Sequence, residues 1–94
     1  MQGIIYVIDS NDHERIDEAR DELHLLLQED ELQGLPLLVL ANKQDLGGVM
    51  TVPFISEALR LTSLIDRNWY IHATSVLTGE GLIISMNWIS NAIK

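Results

Sequence analysis

The chain has 94 residues, of which 47% are apolar, and it carries a formal net charge of −8 with no cysteine. This length allows one small domain spanning residues 1–94, and the apolar fraction is enough for one core. Six scattered Lys and Arg residues do not form the basic footprint of a nucleic-acid binder, and the absence of cysteine excludes disulfides and thiolate metal sites. No apolar run reaches the length of a membrane span, so we expect no direct membrane anchor in this chain, and the lack of cysteine fits a reducing compartment.

The first predicted elements are a strand and an acidic helix. Residues 3–8 are β-branched and aromatic, and this short apolar run predicts a strand buried on both faces, as in parallel sheets. Ser10, Asn11 or Asp12 can cap the helix that follows. Ten of the fourteen carboxylates lie between Asp9 and Glu31. Five of them are expected on the solvated face of that helix: Glu14, Asp17, Glu18, Asp21 and Glu22. Its apolar face is predicted from residues at helical spacing: Ile16, Ala19, Leu23, Leu26 and Leu27.

The remaining elements continue the alternation of strands and helices. Residues 35–41 predict a second strand, and residues 69–73 predict a shorter third strand. Between them, Thr51 and Pro53 mark the start of a short helix with Phe54, Ala58 and Leu59 on its apolar face and Leu61 as a further candidate. Residues 82–93 predict a closing helix that buries Ile83, Met86, Ile89 and Ile93 or their neighbours. The order β-α-β-α-β-α predicts an α/β fold in which three parallel strands lie between layers of helices.

The second strand runs directly into Asn42, Lys43, Gln44 and Asp45. In open α/β sheets, ligands bind beyond the carboxyl ends of the strands. A carboxylate can accept two hydrogen bonds from the adjacent N–H and NH₂ donors of guanine, and an Asn amide can pair with the O6 and N7 side. The methylene stem of the lysine can lie on the ring face. The alternative is an ordinary polar loop with an Asx turn.

Four segments together resemble the ADP-ribosylation factor family of small Ras-like GTPases: VIDSNDHERIDEARDEL, LLVLANKQDL, NWYIHAT and TGEGL followed by MNWISN. The resemblance covers essentially the whole chain in order. It implies a three-layer P-loop-NTPase-like fold, and it implies that Asn42, Lys43 and Asp45 recognise guanine in GTP or GDP. It further implies that Ser75, Val76 and Leu77 contact the base mainly through backbone N–H groups. Val76 stands where the family usually has the smaller Ala.

The phosphate-binding parts of that family are missing from these 94 residues. There is no G-x-x-x-x-G-K-[ST] loop, no switch Thr and no Asp-x-x-Gly segment followed by a water-orienting Gln. We therefore expect the chain to be the carboxyl-terminal half of such a GTPase, with weak nucleotide binding, no magnesium site and no GTP hydrolysis of its own. The resemblance implies protein effectors and regulators, a role in vesicle transport, and a location in the cytoplasm with association with Golgi and vesicle membranes.

A second hypothesis is a non-catalytic interaction module. In the family's sheet order, the first strand would neighbour a strand that these residues do not contain. Its edge, residues 4–8, is apolar and carries neither Lys nor Pro to guard it. Two copies could pair through this edge around a two-fold axis, so a homodimer is expected under this hypothesis.

Overall fold

The computed structural model describes residues 2–43, 47–75, 79 and 81–93, with the side chain of Leu82 excepted. Its strands and α-helices alternate as predicted. They are, in chain order, β1 (Ile4–Asp9), α1 (Ile16–Leu26), β2 (Leu37–Asn42), α2 (Val52–Ala58), β3 (Trp69–Ala73) and α3 (Leu82–Ile93). Short 3₁₀ turns at His13–Arg15, Asp30–Leu32 and Leu61–Ser63 complete the described elements.

The three strands form one parallel sheet in the order β1-β2-β3. The central strand β2 is buried along five of its six residues, since helices cover both of its faces. Tyr6 aligns with Val39, and Val39 in turn aligns with Ile71. This register brings the carboxyl ends of all three strands to the same edge of the sheet, where ligands bind in open α/β folds.

The helices form layers on the two sides of the sheet. The larger core lies on the side of α1 and α2, where Leu23 and Ile55 are fully buried against Leu37 and Val39. On the other side, Ile89 of α3 packs with a smaller cluster. That cluster consists of Leu38 and Leu40, with Tyr70 and Trp88 packed against it. The predicted three-layer α/β architecture is therefore confirmed.

The prediction that the first strand is buried on both faces is wrong. Ile4 and Ile8 are buried under α1, but the side chains of Ile5 and Val7 on the opposite face are 47% and 57% exposed. The reason is that α3 lies across β2 and covers little of β1, which forms the edge of the sheet.

Two predicted helix faces are also corrected. In α2, Leu59 is fully buried as expected, but Phe54 is 54% exposed and its neighbour Ile55 is fully buried in its place. In α3, Ile89 is buried as expected, but Ile83 is 77% exposed, Met86 is 42% exposed and Ile93 is 38% exposed.

Of the two predicted side-chain caps at helix starts, the structure contains the one on α2 but not the one on α1. Thr51 caps α2 as expected, since its hydroxyl accepts a hydrogen bond from the backbone N–H of Phe54 at 3.3 Å and Pro53 lies in the first turn. No side chain caps α1, which instead follows directly on the 3₁₀ turn His13–Arg15. Within the described part of the chain, no helix is both long and apolar enough to cross a membrane.

Candidate functional site at the carboxyl ends of the strands

The ends of β1, β2 and β3 are joined by backbone hydrogen bonds. Ser10 N–H donates to the carbonyl oxygen of Asn42 at 3.2 Å, and Thr74 N–H donates to the carbonyl oxygen of Ala41 at 2.9 Å. These bonds extend the pairing of the sheet by one residue on each side of β2. The polar residues that follow β2 and β3 therefore start from neighbouring positions at one edge of the sheet.

Lys43 leaves β2 in an unusual backbone conformation. Its φ is +64°, in the left-handed region that few residues other than glycine adopt. Its ammonium Nζ lies 2.8 Å from the carboxylate Oδ2 of Asp9 at the end of β1. Non-glycine residues with strained backbones are enriched at binding sites, so this turn is a candidate functional feature.

The ion pair shifts the pKa of both partners. The hydrogen bond from Lys43 lowers the pKa of Asp9, and the backbone N–H of Asn11, 3.0 Å from Asp9 Oδ1, lowers it further. The hydrogen bond to Asp9 raises the pKa of Lys43, as do the charges of Asp9 and Asp12. Both side chains remain close to half exposed, so solvent screens the pair and its contribution to folding is small. Its main effect is to hold Lys43 across the ends of β1 and β2.

The turn after β3 is packed tightly against the strand. Thr74 and Ser75 are almost completely buried. The Ser75 carbonyl accepts a hydrogen bond from the N–H of Gly79 at 2.7 Å, and the hydroxyl of Ser85 donates to the carbonyl of Gly81 at 2.8 Å. A side chain at Gly81 would overlap the carbonyl oxygen of Ala73. Only glycine therefore fits where the chain passes from this turn into α3.

One buried polar group at this edge has no hydrogen-bond partner among the residues that the structure describes. It is the hydroxyl of Thr74, whose side chain is 1% exposed. A buried hydroxyl without a partner is costly and is rare in native folds. It marks the end of β3 as a place where the fold departs from ordinary packing.

Three of the six sequence-predicted site residues lie in the described part of the chain, and all three lie at this edge. Asn42 ends β2 with a half-buried side chain, Lys43 follows it, and Ser75 is buried just beyond β3. The other three, Asp45, Val76 and Leu77, lie outside the described residues.

Sequence reasoning did not identify the role of Asp9 as the partner of Lys43. The same carboxylate also accepts a local hydrogen bond, from the backbone N–H of Asn11 to Asp9 Oδ1. The available signal was an acidic residue at the end of the neighbouring parallel strand, at the same edge of the sheet as Lys43. Across residues 2–43, 47–75, 79 and 81–93, the structure contains no group of three or more His, Cys, Asp or Glu residues that could hold a metal ion.

In a comparison with models of protein families, that of the ADP-ribosylation factor family matches residues 1–93 of the chain.

Proposed function

The chain belongs to the ADP-ribosylation factor family of small GTPases, and we propose that it binds guanine nucleotides at the carboxyl ends of β2 and β3. In this proposal, the Asp45 carboxylate accepts hydrogen bonds from the N1–H and 2-amino groups of guanine. The Asn42 amide pairs with the O6 and N7 side of the base. Backbone N–H groups of Ser75, Val76 and Leu77 donate to O6 from the facing loop.

The observation that carries the proposal is the adjacency of the two strand ends. The bond from Thr74 N–H to the Ala41 carbonyl, 2.9 Å long, places Ser75 one residue beyond the pairing of β2 with β3. Asn42 ends β2 at the same edge of the sheet, and the opposing loop begins after it. A base bound here is contacted from both loops.

Lys43 supplies the remaining contact in this proposal. Asp9 holds its ammonium group at 2.8 Å, which restricts the flexible side chain to the ends of the strands. The base then lies against the four-carbon stem of Lys43, as amphipathic side chains allow. An adenine base presents the wrong donors to Asp45 and leaves a polar group unpaired, which is how the site rejects it.

We further propose that residues 1–94 correspond to the carboxyl-terminal half of a small-GTPase domain and bind nucleotide weakly by themselves. Phosphate groups are usually gripped by charge-assisted bonds and magnesium, and this sequence contains no G-x-x-x-x-G-K-[ST] loop to make them. Base contacts alone correspond to a dissociation constant of about 1 mM, or about 4 kcal/mol. We expect no magnesium-dependent gain in affinity and no GTP hydrolysis from these residues.

The cellular role proposed for the chain follows from family membership. We propose that it acts in vesicle-mediated and intracellular protein transport, in the cytoplasm and at Golgi and vesicle membranes, with protein effectors and regulators as partners. The acidic composition, with a net charge of −8, agrees with protein partners and not with nucleic acid.

Calorimetric titration of the 94-residue chain with GDP and with ADP tests the base site. We expect GDP to bind at about millimolar concentration and at least tenfold more tightly than ADP, with the same affinity in the presence and absence of magnesium. Equal binding of GDP and ADP would contradict base recognition. A large gain with magnesium would contradict the proposed absence of phosphate contacts.

A second candidate function is a non-catalytic interaction module that uses the outer edge of β1. It is favoured by one specific observation: Ile5 and Val7 at this edge are half exposed, although both are apolar. An exposed apolar strand at a sheet edge can pair with a strand from another chain. The form expected from the sequence is a homodimer paired through residues 4–8.

A further inference from the structure

The surface between α1 and the connection from α2 to β3 contains two adjoining cavities. One cavity, of about 300 Å³, lies between residues 20–24 of α1 and residues 60–63. The other, of about 250 Å³, continues to residues 27–34 and 63–67. Both are lined by His24 and Ser63, so they form one groove, which we name the α1–α2 groove.

The α1–α2 groove lies on the flank of α1 that faces α2. Described residues wall it on both sides, from residues 20–34 and from residues 60–67. The residues of α1 that face β1, such as Glu18 and Glu22, lie on the opposite flank of the helix. The strand that the family's sheet order places beside β1 therefore belongs on the far side of α1, away from this groove.

Hydrogen bonds from two side chains fix the walls of the groove. His24 Nε2 lies 2.7 Å from the carbonyl oxygen of Leu59 and must carry the proton, because a carbonyl oxygen only accepts. At the other end, the guanidinium of Arg67 donates to the carbonyls of Leu32 and Leu35 at 2.8 and 2.7 Å. The groove is therefore preformed, which lowers the entropic cost of binding a ligand there.

The groove concentrates cations in an acidic protein. Three of the six Lys and Arg residues of the chain line it, namely Arg20, Arg60 and Arg67. The carboxylates among its described lining residues are Asp21 and Asp66. Three cations against two carboxylates give the lining a formal charge of +1, whereas the whole chain carries −8.

The three arginines differ in whether their charge is already engaged. Arg20 is paired with Asp21 at 3.0 Å and with Asp17 at 3.4 Å, and Arg67 is bonded to backbone carbonyls. The exposed side chain of Arg60 has no ion pair or hydrogen bond with any residue that the structure describes. Arg60 is therefore the cation that a ligand can use.

Arg60 also occupies a backbone position that favours glycine. It follows the end of α2 with φ +55° and ψ +42°, in the left-handed region. Gly or Asn usually ends a helix in this conformation, since a larger L-residue is strained there. Strained residues other than glycine are enriched at functional sites. An unpaired arginine at such a position points to a binding role for its side chain.

The far end of the groove adds an apolar contact. Ile65 lines the second cavity and is 87% exposed. A ligand that lies along the groove thus meets a free guanidinium at Arg60 and an uncovered aliphatic side chain at Ile65.

We propose that the α1–α2 groove binds an acidic segment of a partner protein, whose Asp or Glu side chains contact Arg60 and whose neighbouring apolar residue covers Ile65. A guanidinium can hold a carboxylate through two parallel hydrogen bonds. The net charge of −8 does not prevent this, because charges separated by more than about 8 Å are largely screened at physiological salt. This role goes beyond nucleotide binding, since the connection from α2 to β3 lies at the amino end of β3, away from the proposed base site.

The test titrates the 94-residue chain, without nucleotide and at physiological salt, with capped eight-residue peptides while amide resonances are followed by NMR. The first peptide alternates Leu and Glu, the second alternates Leu and Gln, and the third alternates Ala and Glu. We expect the Leu–Glu peptide to bind, with the largest shifts in residues 20–28 and 60–67. The Leu–Gln peptide should bind at least tenfold more weakly because it lacks charge, and the Ala–Glu peptide about fivefold more weakly because it covers less of Ile65.

Variants of one residue separate the groove from the overall charge. Arg60→Gln should weaken the Leu–Glu peptide about fivefold, and Arg60→Lys should weaken it less because the charge remains. Arg15→Gln removes the same charge from an exposed position outside the groove and should change the affinity less than twofold. Arg60→Gly should weaken binding as Arg60→Gln does, yet unfold at no lower temperature than the parent chain because glycine relieves the left-handed backbone. Loss of binding in this variant is then not loss of the fold.

Each contrary result has a distinct meaning. Equal binding of the Leu–Gln peptide would overturn recognition of acidic side chains. Equal losses in Arg60→Gln and Arg15→Gln would show attraction to the overall charge and overturn the groove as the site. A dimer of the unliganded chain in sedimentation that Arg60→Gln disperses would put a second copy in the groove and overturn a different partner. Absence of binding by all three peptides would overturn the proposal, whatever the outcome of the GDP titration.

Discussion

The turn after β3 allows a sharp test of backbone packing, because two glycines there share a conformation but not an environment. Gly79 and Gly81 have φ values of +75° and +79°. Apart from its own chain neighbours, a Cβ atom at Gly79 would meet no atom of the described residues within 4 Å. At Gly81 it would overlap the carbonyl oxygen of Ala73 and lie 3.1 Å from His72 Cδ2. We therefore predict that Gly81→Ala is much more damaging than Gly79→Ala.

The expected magnitudes follow from two separate costs. An L-residue in the left-handed region costs about 1 kcal/mol, and both variants bear this cost. At Gly81, the overlap with backbone atoms can be relieved only by moving the end of β3 or the start of α3, which adds about 2 kcal/mol. We expect a loss of about 1 kcal/mol for Gly79→Ala and about 3 kcal/mol for Gly81→Ala. In a domain of this size these losses lower the melting temperature by about 6 °C and about 18 °C.

Urea titration followed by far-ultraviolet circular dichroism measures both variants under identical conditions. The difference in free energy of unfolding between them should be about 2 kcal/mol, with Gly81→Ala the less stable. Equal losses in the two variants would refute the reasoning, since they would show that the approach of Gly81 to Ala73 does not constrain the turn.

Three further predictions concern other parts of the fold. Ile55→Ala removes a fully buried side chain and should lower the free energy of unfolding by about 3 kcal/mol in urea titration. Phe54→Ala removes a half-exposed side chain and should cost less than about 1 kcal/mol. The opposite order would show that Phe54 faces the core, as the sequence predicts. The guanidinium of Arg67 donates to the backbone carbonyls of Leu32, Leu35 and Leu27, which follow α1, at 2.8, 2.7 and 3.4 Å, so Arg67→Ala should lower the free energy of unfolding by about 2 kcal/mol. Arg67→Lys should recover only part of this loss because Lys lacks the forked donors of Arg, and full recovery would contradict this role. Because the pKa of Asp9 is lowered and that of Lys43 is raised by their contact, the pair stabilises the fold above the ordinary Asp value of 3.8, and this stabilisation is lost as the pH falls through the folded pKa of Asp9. At high pH it is lost as the pH rises through the folded pKa of Lys43, above 10.5. Asp9→Asn should therefore unfold earlier in urea than the parent chain at pH 7 but not at pH 2, and a difference that persists at pH 2 would contradict the ion pair.

The strands and their order could be predicted from the sequence, but some boundaries could not. The run from residue 35 to residue 41 predicts a strand that the structure begins at Leu37. Leu35 instead closes a turn, since its N–H donates to the carbonyl of Leu32 at 3.3 Å, and Pro36 has no N–H to pair. An apolar run marks a buried segment, but local hydrogen bonds decide where the pairing begins.

The helix faces were harder to predict because apolar residues lie on more than one side of each helix. In α2, Phe54 and Ile55 each lie four residues before another apolar residue, and only the position of the core decides that Ile55 is buried and Phe54 is exposed. In α3, a residue that binary patterning would place in solvent is fully buried. This residue is Ser85, whose hydroxyl is satisfied inside the fold because it donates to the carbonyl of Gly81, four residues earlier.

The candidate site shows the same division between local and long-range information. The positions of Asn42, Lys43 and Ser75 at one edge follow from the rule that parallel strands end together. The same rule places Asp9 at this edge, but the contact between Lys43 and Asp9, which are 34 positions apart, also depends on the alignment of Asp9 with Asn42, and only the structure shows that alignment.

The central claim is that the loop after β2 reads the hydrogen-bonding edge of guanine, and a change of base preference tests it most directly. Asp45→Asn converts an acceptor of two hydrogen bonds into a group that can donate one, which suits the 2-oxo group of xanthine. Calorimetric titration of this variant should show tighter binding of xanthosine diphosphate than of GDP. The ratio of the two affinities should differ at least tenfold from that of the parent chain. Asp66→Asn, which removes an exposed carboxylate on the connection before β3, serves as the matched control and should leave the GDP preference intact. An unchanged base preference in Asp45→Asn would contradict guanine recognition by this loop.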